Sequence, residues 1–474
     1  MKWPVRAALM IGPAVLAGAA VAAAAIGFGG GSAATTASTP PAPATRNGDQ
    51  DHVDTDAAGE RDTRLRGAGH GQQTRGMSES AAALIDHHPK VDELRLTERH
   101  ALADLHAVLR LCDSGRLRCS DKTRRPAAAS VVMIADTLSG GDFYPDEAIA
   151  AYAWPLLVQT GGLAEIVGGR LQLTARGRSA LGKPAAEVIR GLWRSWITKA
   201  VLDELSRVEH IKGQRATNVL TSAKTRRQRV SAALATCRPG AWVELDDLFA
   251  SMREAGLSPT VARSDRALWK LYLVDAQYGS LGYAGFGEWE ILEGRYTLAV
   301  IFEYAATLGL VDVAYDEPDG ARDDYHGNWG ADHLDYLSRY DGLRAVRLNG
   351  LGAYALDLTA SYRPPADAAP IRNLKVLSNL DLVATGELSP ADRLVLDAYA
   401  KRTAERVWAL TADTVLAAVA AGHTADQLRD FLGGRMEQPG LPATLLVLLD
   451  DVTARAGRLR DLGQVRLTNA PIRH

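Results

Sequence analysis

Two adjacent glycines, Gly168-Gly169, separate Leu163-Ala164-Glu165-Ile166-Val167 from Arg170-Leu171-Gln172-Leu173-Thr174. Apolar and polar residues alternate on both sides, which predicts a tight hairpin. Its two central positions need positive φ, and glycine adopts that without strain. The chain before the hairpin is patterned as helix. Leu94, Leu96, Leu102, Leu105, Val108, Leu109 and Leu111 form a stripe, with Thr97 as the expected N-cap and Gly115 as the stop. Two shorter helical runs, 131–138 and 149–158, flank Gly140-Gly141. Helices closed by a short hairpin and by Leu173-Thr174-Ala175-Arg176-Gly177-Arg178 draw a winged-helix outline. A long helix over 185–208 is expected to follow.

The same order of elements recurs. A helix near 230–236, Trp242-Val243, a helix over 245–255 and a helix over 295–307 lead into Leu308-Gly309-Leu310-Val311-Asp312-Val313-Ala314-Tyr315. After an acidic loop come the apolar segments 343–348 and 351–356. A chain of 474 residues has room for about three domains of roughly 150 residues each. The run Tyr362-Arg363-Pro364-Pro365-Ala366-Asp367-Ala368-Ala369-Pro370 marks a boundary between them. The expected fold class is α+β, mostly helical. Tandem winged-helix-like modules would occupy 77–223 and 224–365, followed by a small α/β domain over 370–474.

In that last domain, 374–384 reads as a strand, and Ser389-Pro390 as the N-cap and N1 of a helix running to Arg402. Residues 407–410 read as a strand and 411–421 as a helix stopped by Gly422. Thr424-Ala425-Asp426-Gln427 is a capping box opening the next helix. A helix over 441–456 and a strand over 463–467 complete it. The motifs Asn379-Leu380-Asp381-Leu382-Val383, Gly386-Glu387-Leu388-Ser389-Pro390, Val407-Trp408-Ala409-Leu410-Thr411, Ala421-Gly422-His423-Thr424 and Gly457-Arg458-Leu459-Arg460, in this order, resemble the N-terminal, non-motor domain of XPB-type DNA helicases, as found in helicase-associated proteins of actinobacteria. The resemblance covers about a fifth of the chain. It implies an accessory module that handles DNA or docks a partner, and it carries over no catalytic residue.

The N-terminus is a separate matter. Lys2 and Arg6 precede an uncharged apolar stretch over 7–28, the pattern of a secretory signal or a single membrane anchor within 1–29. An anchor with this basic flank would place the body outside the cytoplasm. Residues 30–76 are poor in large apolar side chains and read as a disordered linker. Met77 opens the first globular patterning, so a start there would give a cytoplasmic protein.

No complete catalytic or metal-binding constellation is present in the sequence, and no cofactor or enzymatic activity is expected. Gly177-Arg178-Ser179-Ala180-Leu181-Gly182-Lys183-Pro184 matches phosphate-loop spacing up to the lysine. Pro184 then stands where a hydroxyl must hold Mg²⁺. Val201-Leu202-Asp203-Glu204 imitates an acidic metal-binding motif but falls inside the expected helix. His87, His88, His100 and His106 lack matching ligands. The acidic loop Asp316-Glu317-Pro318-Asp319-Gly320 with Asp323 and Asp324 lacks EF-hand spacing and reads as a solvated loop. Cys112, Cys119 and Cys237 form no CxxC pair. Tyr283, Phe286 and Trp289 read as core or interface.

Local positive charge carries the functional reading. Net charge is -2, so no global field draws the chain to DNA. Arg116, Arg118, Lys122, Arg124 and Arg125 crowd one loop. Lys212, Arg215, Lys224, Arg226, Arg227 and Arg229 fill a second stretch, preceded by Arg190, Arg194 and Lys199, with Trp193 and Trp196 among them. Exposed cations at helix–loop junctions suit phosphate contacts that position a protein without reading bases. The expected partners are DNA, a separate helicase or other protein, and a membrane through the N-terminal segment. The alternative is a membrane-anchored protein-interaction module that does not bind nucleic acid.

Overall fold

The computed structural model describes residues 91–199, 201–365 and 372–456, all within one compact unit. The apolar N-terminal stretch, the 30–76 segment, His87, His88 and the expected 463–467 strand lie outside the described residues. No helix among the described residues is long and apolar enough to cross a membrane.

The elements alternate helices with short strands, an α+β fold. Strand β1 (Glu93–Arg95) leads into helix α1 (Thr97–Asp113), followed by α2 (Ala128–Ala135) and α3 (Ala150–Thr160). The hairpin β2 (Ala164–Val167) and β3 (Arg170–Leu173) pairs antiparallel, with Gly168 and Gly169 at φ 57° and 73° as the tight turn demands. Then come α4 (Ala175–Ala180), α5 (Ala185–Thr198), α6 (Ala223–Thr236), β4 (Trp242–Glu244) and α7 (Leu245–Glu254). A long central helix, α8, joins three stretches, Glu290–Gly294, Arg295–Ala299 and Val300–Ala306. The first and last of these have the wider π-type winding. It feeds β5 (Val311–Tyr315), β6 (Leu343–Leu348) and α9 (Gly350–Ala355).

Strands β1, β5, β6 and β4 form one sheet in that order, every pair antiparallel. Its first strand and its partner β5 come from opposite ends of the 91–365 region. Thr97 fastens this closure: its N–H donates to Asp312 Oδ1 at 2.9 Å and its hydroxyl to the Val311 carbonyl at 2.6 Å. Thr97 is therefore inside the helix, and Leu96 stands at the N-cap position expected for it. One continuous apolar core runs from Ala101 to Ala355 and takes in both stretches expected to be separate modules. All three cysteines are buried free thiols. Burial pushes the Cys119 and Cys237 thiols up to about 11, well away from reactive thiolates.

The region beyond residue 372 has its own core, from Leu374 to Val452. The single strand expected over 374–384 is a hairpin, β7 (Leu374–Val376) and β8 (Asp381–Ala384), because Leu380 turns the chain at φ 68°. Helix α10 (Pro390–Tyr399) opens on the Ser389 cap and ends three residues before Arg402. The chain there becomes β9 (Lys401–Ala404), paired with β10 (Val407–Ala409). Helix α10 packs on α1, and His423 Nε2 lies 3.3 Å from Asp113.

Helix α11 (Ala412–Ala420) ends as the glycine implied. Gly422 N–H donates to the Val419 carbonyl, His423 N–H to that of Ala418, and Gly422 has φ 99°. The Thr424–Gln427 capping box then opens α12 (Ala425–Arg435), and α13 (Ala443–Ala456) closes the region. A β-branched side chain is strained at that φ, so Gly422→Val should cost about 1–3 kcal/mol. Thermal unfolding checks this, and an unchanged melting temperature would refute it.

Candidate nucleic-acid interface

The 116–125 loop is a shaped turn. Arg124 N–H donates to the Ser120 carbonyl at 2.8 Å, Ser120 N–H to that of Arg125 at 2.9 Å, and Thr123 N–H to Ser120 Oγ at 3.1 Å. Arg124 takes a left-handed conformation, φ 64°, at its tip. The loop's first arm runs beside β3: Arg118 bridges Arg170, and Cys119 N–H donates to the Gly169 carbonyl at 3.1 Å. Arg116, Arg118, Lys122 and Arg124 are exposed, and among the described residues none of them pairs with a carboxylate. The hairpin adds a cation that the sequence reading missed. Arg170 is exposed and donates through Nη1 to the Gly115 carbonyl at 3.0 Å. The available signal was its place immediately after Gly168-Gly169, at the root of a projecting turn.

Among the described residues, the second basic stretch is linked to this loop only through Ser206. Arg125, half-buried, donates through Nη2 to Ser206 Oγ at 3.2 Å. Ser206 also lines an open cleft of about 410 Å³ with Lys212, Gln214, Arg215 and Tyr272. Lys212 and Arg215 are exposed there. Lys224 and Arg229 are exposed on α6, and Arg229 donates to the Gly256 carbonyl. No hydrogen bond among the described residues connects them to the loop.

Two expected site residues are not at the surface. Arg226 and Arg227 are each 1% exposed. Arg226 pairs with Asp203, its guanidinium 4.6 Å from the Tyr296 ring centre. Arg227 pairs with Glu204, which is fully buried, and its guanidinium lies 4.4 Å from the Trp196 ring centre. It also donates to the carbonyls of Trp196, of Lys199 at 2.6 Å and of Leu202 at 2.9 Å. Those carbonyls lie in the last turn of α5 and just beyond it, where helix oxygens lack partners and cations are favoured. Helix α5 stops at Thr198, short of the expected 208. The acidic pair Asp203 and Glu204 leaves the helix and turns toward α6. Arg190 and Arg194, on α5, are tied to Asp357 just after α9.

The central helix continues this buried charge. Arg295 grips Asp341 with two hydrogen bonds, 3.0 and 3.1 Å, and reaches Asp324 at 2.5 Å. Arg207 binds Glu303 at 2.8 Å, and Tyr340 donates its hydroxyl to the same carboxylate. Asp324 is thus a structural partner rather than part of a solvated loop, and Asp316 receives Arg344 at 2.7 Å. These carboxylates are saturated by guanidinium groups, which suits architecture rather than proton transfer. The phosphate-loop imitation does not form a loop: Gly177, Arg178, Ser179 and Ala180 are helical in α4, and Pro184 caps α5. Among the described residues, no group of three or more His, Cys, Asp or Glu side chains converges as metal ligands do.

Helices α3 and α8 offer nothing to a groove. Every residue of α3 except Tyr152 is buried, and so is the 291–306 span of α8. Of the aromatic segment, Trp289 is in the core against Phe249, whereas Tyr278, Tyr283 and Phe286 are exposed. No protein-family model matches the chain, and no curated protein matches it either.

Proposed function

We propose that this chain is a non-catalytic, helicase-associated accessory protein that holds nucleic acid by its phosphates, through the 116–125 loop and the adjoining hairpin. The observation that carries this reading is the clustering of four unpaired cations, Arg116, Arg118, Lys122 and Arg124, beside Arg170 on a projecting turn. Element order supports a tandem winged-helix interpretation. The second half runs helix, short strand, helix, helix, then two strands, with β4 joined to β6; in the first half an isolated bridge of Arg118 to Arg170 stands where that short strand would be. Winged-helix proteins that read sequence place their third helix in the major groove. The corresponding helices here, α3 and α8, are buried, so binding rests on phosphate contacts with little sequence preference.

Fluorescence anisotropy across a salt series tests this on duplex and forked DNA. Each phosphate contact should add about 0.9 to the slope of log affinity against log salt on duplex DNA. Changing Arg116, Arg118 and Lys122 to Gln and Arg124 to Asn, which tolerates the left-handed turn, should weaken binding and flatten that slope. Neutralising Lys375 and Lys401, exposed on the C-terminal sheet, should leave both unchanged. Absence of binding at low salt would favour protein docking instead. The observation favouring that second reading is the set of large aromatic side chains left in solvent on the 269–286 and 326–332 loops.

A further inference from the structure

Away from the basic loop, residues 278–288 and 326–332 enclose an open cleft of about 770 Å³. Tyr278, Tyr283 and Trp329 line it, and they are 53%, 62% and 64% exposed. Large rings are normally withdrawn from water, and single exposed ones are unremarkable; three on one cleft are not. The local structure holds them there. Asp275 accepts the N–H groups of Gln277 and Tyr278, both at 2.8 Å, fixing the turn that presents Tyr278. The Tyr283 hydroxyl donates to the Gln277 carbonyl at 3.1 Å, and Trp269 packs edge-on against its ring at 4.8 Å. Trp329 meets Tyr278 at 5.4 Å and an angle of 46°, so the two rings form a bent wall rather than a flat stack.

The charge of the cleft is one-sided. Glu288 and Asp332 line it, with no lysine or arginine. His326 is the one imidazole in the lining. Glu288 Oε2 is shielded from solvent and unpaired, the Asn328 side chain being the donor directed at this carboxyl, and among the described residues no positive group reaches it. A carboxylate oxygen in that condition is costly unless a positive group comes to it. An anionic backbone is repelled here, which sets the cleft apart from the phosphate-binding surface. Aromatic faces beside a carboxylate attract a cation through the ring quadrupole, without requiring that it donate hydrogen bonds.

We propose that this cleft binds a quaternary trimethylammonium group, with Tyr278, Tyr283 and Trp329 as its walls and Glu288 as its counter-charge. Saturation-transfer NMR and calorimetry on the full chain test this with choline and its uncharged isostere 3,3-dimethylbutan-1-ol. Choline should bind saturably. The isostere and the Trp329→Ala variant should each bind about two- to thirty-fold more weakly, the range that a cation–π contact commands, and Glu288→Gln should weaken choline binding through the lost counter-charge. Trp329→Phe should retain most of the affinity, which keeps the test sound if the alanine variant fails to fold. A short peptide carrying trimethyl-lysine is the second arm. Binding tighter than choline places the cation on a protein partner, and weaker binding places it on a free small molecule. No saturable binding of either probe, equal binding of the uncharged isostere, or full affinity in Glu288→Gln would overturn the proposal.

Discussion

Arg227→Ala should destabilise the protein by about 3–5 kcal/mol, the cost of leaving one member of a buried ion pair alone. Glu204 would remain as a charge in a site with no exposure, and the carbonyls of Trp196, Lys199 and Leu202 would lose their shared donor. That is a large part of the roughly 5–15 kcal/mol that keeps a domain folded. Arg229→Ala, two positions along the same helix but exposed, should cost at most about 0.5 kcal/mol. Pairing Arg227→Met with Glu204→Gln should recover part of the loss, because an uncharged pair escapes the desolvation penalty. Urea unfolding of the four proteins distinguishes these outcomes. Equal midpoints for the Arg227 and Arg229 variants would refute the buried-pair interpretation.

A second large effect should appear with pH. Burial pushes the Glu293 carboxyl up to about 7 from an ordinary 4.5, although Val261 N–H donates to its Oε1 at 3.0 Å. The folded state therefore holds this proton more tightly than the unfolded state does. Its contribution is fully present below about pH 4.5 and is lost as pH rises through 7. The fall is about 1.4 kcal/mol per pH unit and about 3 kcal/mol in all. Asp104, raised to about 6 by burial, adds a fall of the same sign over a lower window. Glu293→Gln keeps the oxygen that Val261 needs and removes the titration. The variant should thus gain about 3 kcal/mol over the wild type at pH 8 and very little at pH 4.5. Denaturant unfolding at those two pH values measures it, and parallel pH profiles would count decisively against it.

What could be read from the sequence was local. The Gly168-Gly169 hairpin, the Ser389-Pro390 start, the Gly422 stop and the Thr424–Gln427 box each depend on a few adjacent residues and backbone preferences that neighbours do not override. What could not be read depended on partners far along the chain. Arg226 and Arg227 sit in a run of cations and resemble surface, since arginine is seldom fully buried without a partner. Their partners, Asp203 and Glu204, are 23 residues upstream. Those acids looked like the continuation of a helix because Val201-Leu202 extends its apolar pattern. The aromatic cleft was illegible for a related reason: Tyr278 and Trp329 meet only once two irregular loops are brought together.

The pairing of β1 with β5 also bears on how the chain is made. Thr97 cannot reach its hydrogen-bond partner Asp312 until 215 further residues have been synthesised. At roughly 5–20 residues per second, that is a wait of about 10–40 s on the ribosome. Until then α1 can pack against α3, the hairpin and α5, but it lacks β5 and the C-terminal helix α10. A chain ending before residue 315 would keep those earlier contacts and lack the complete β1–β5 ladder that closes the sheet.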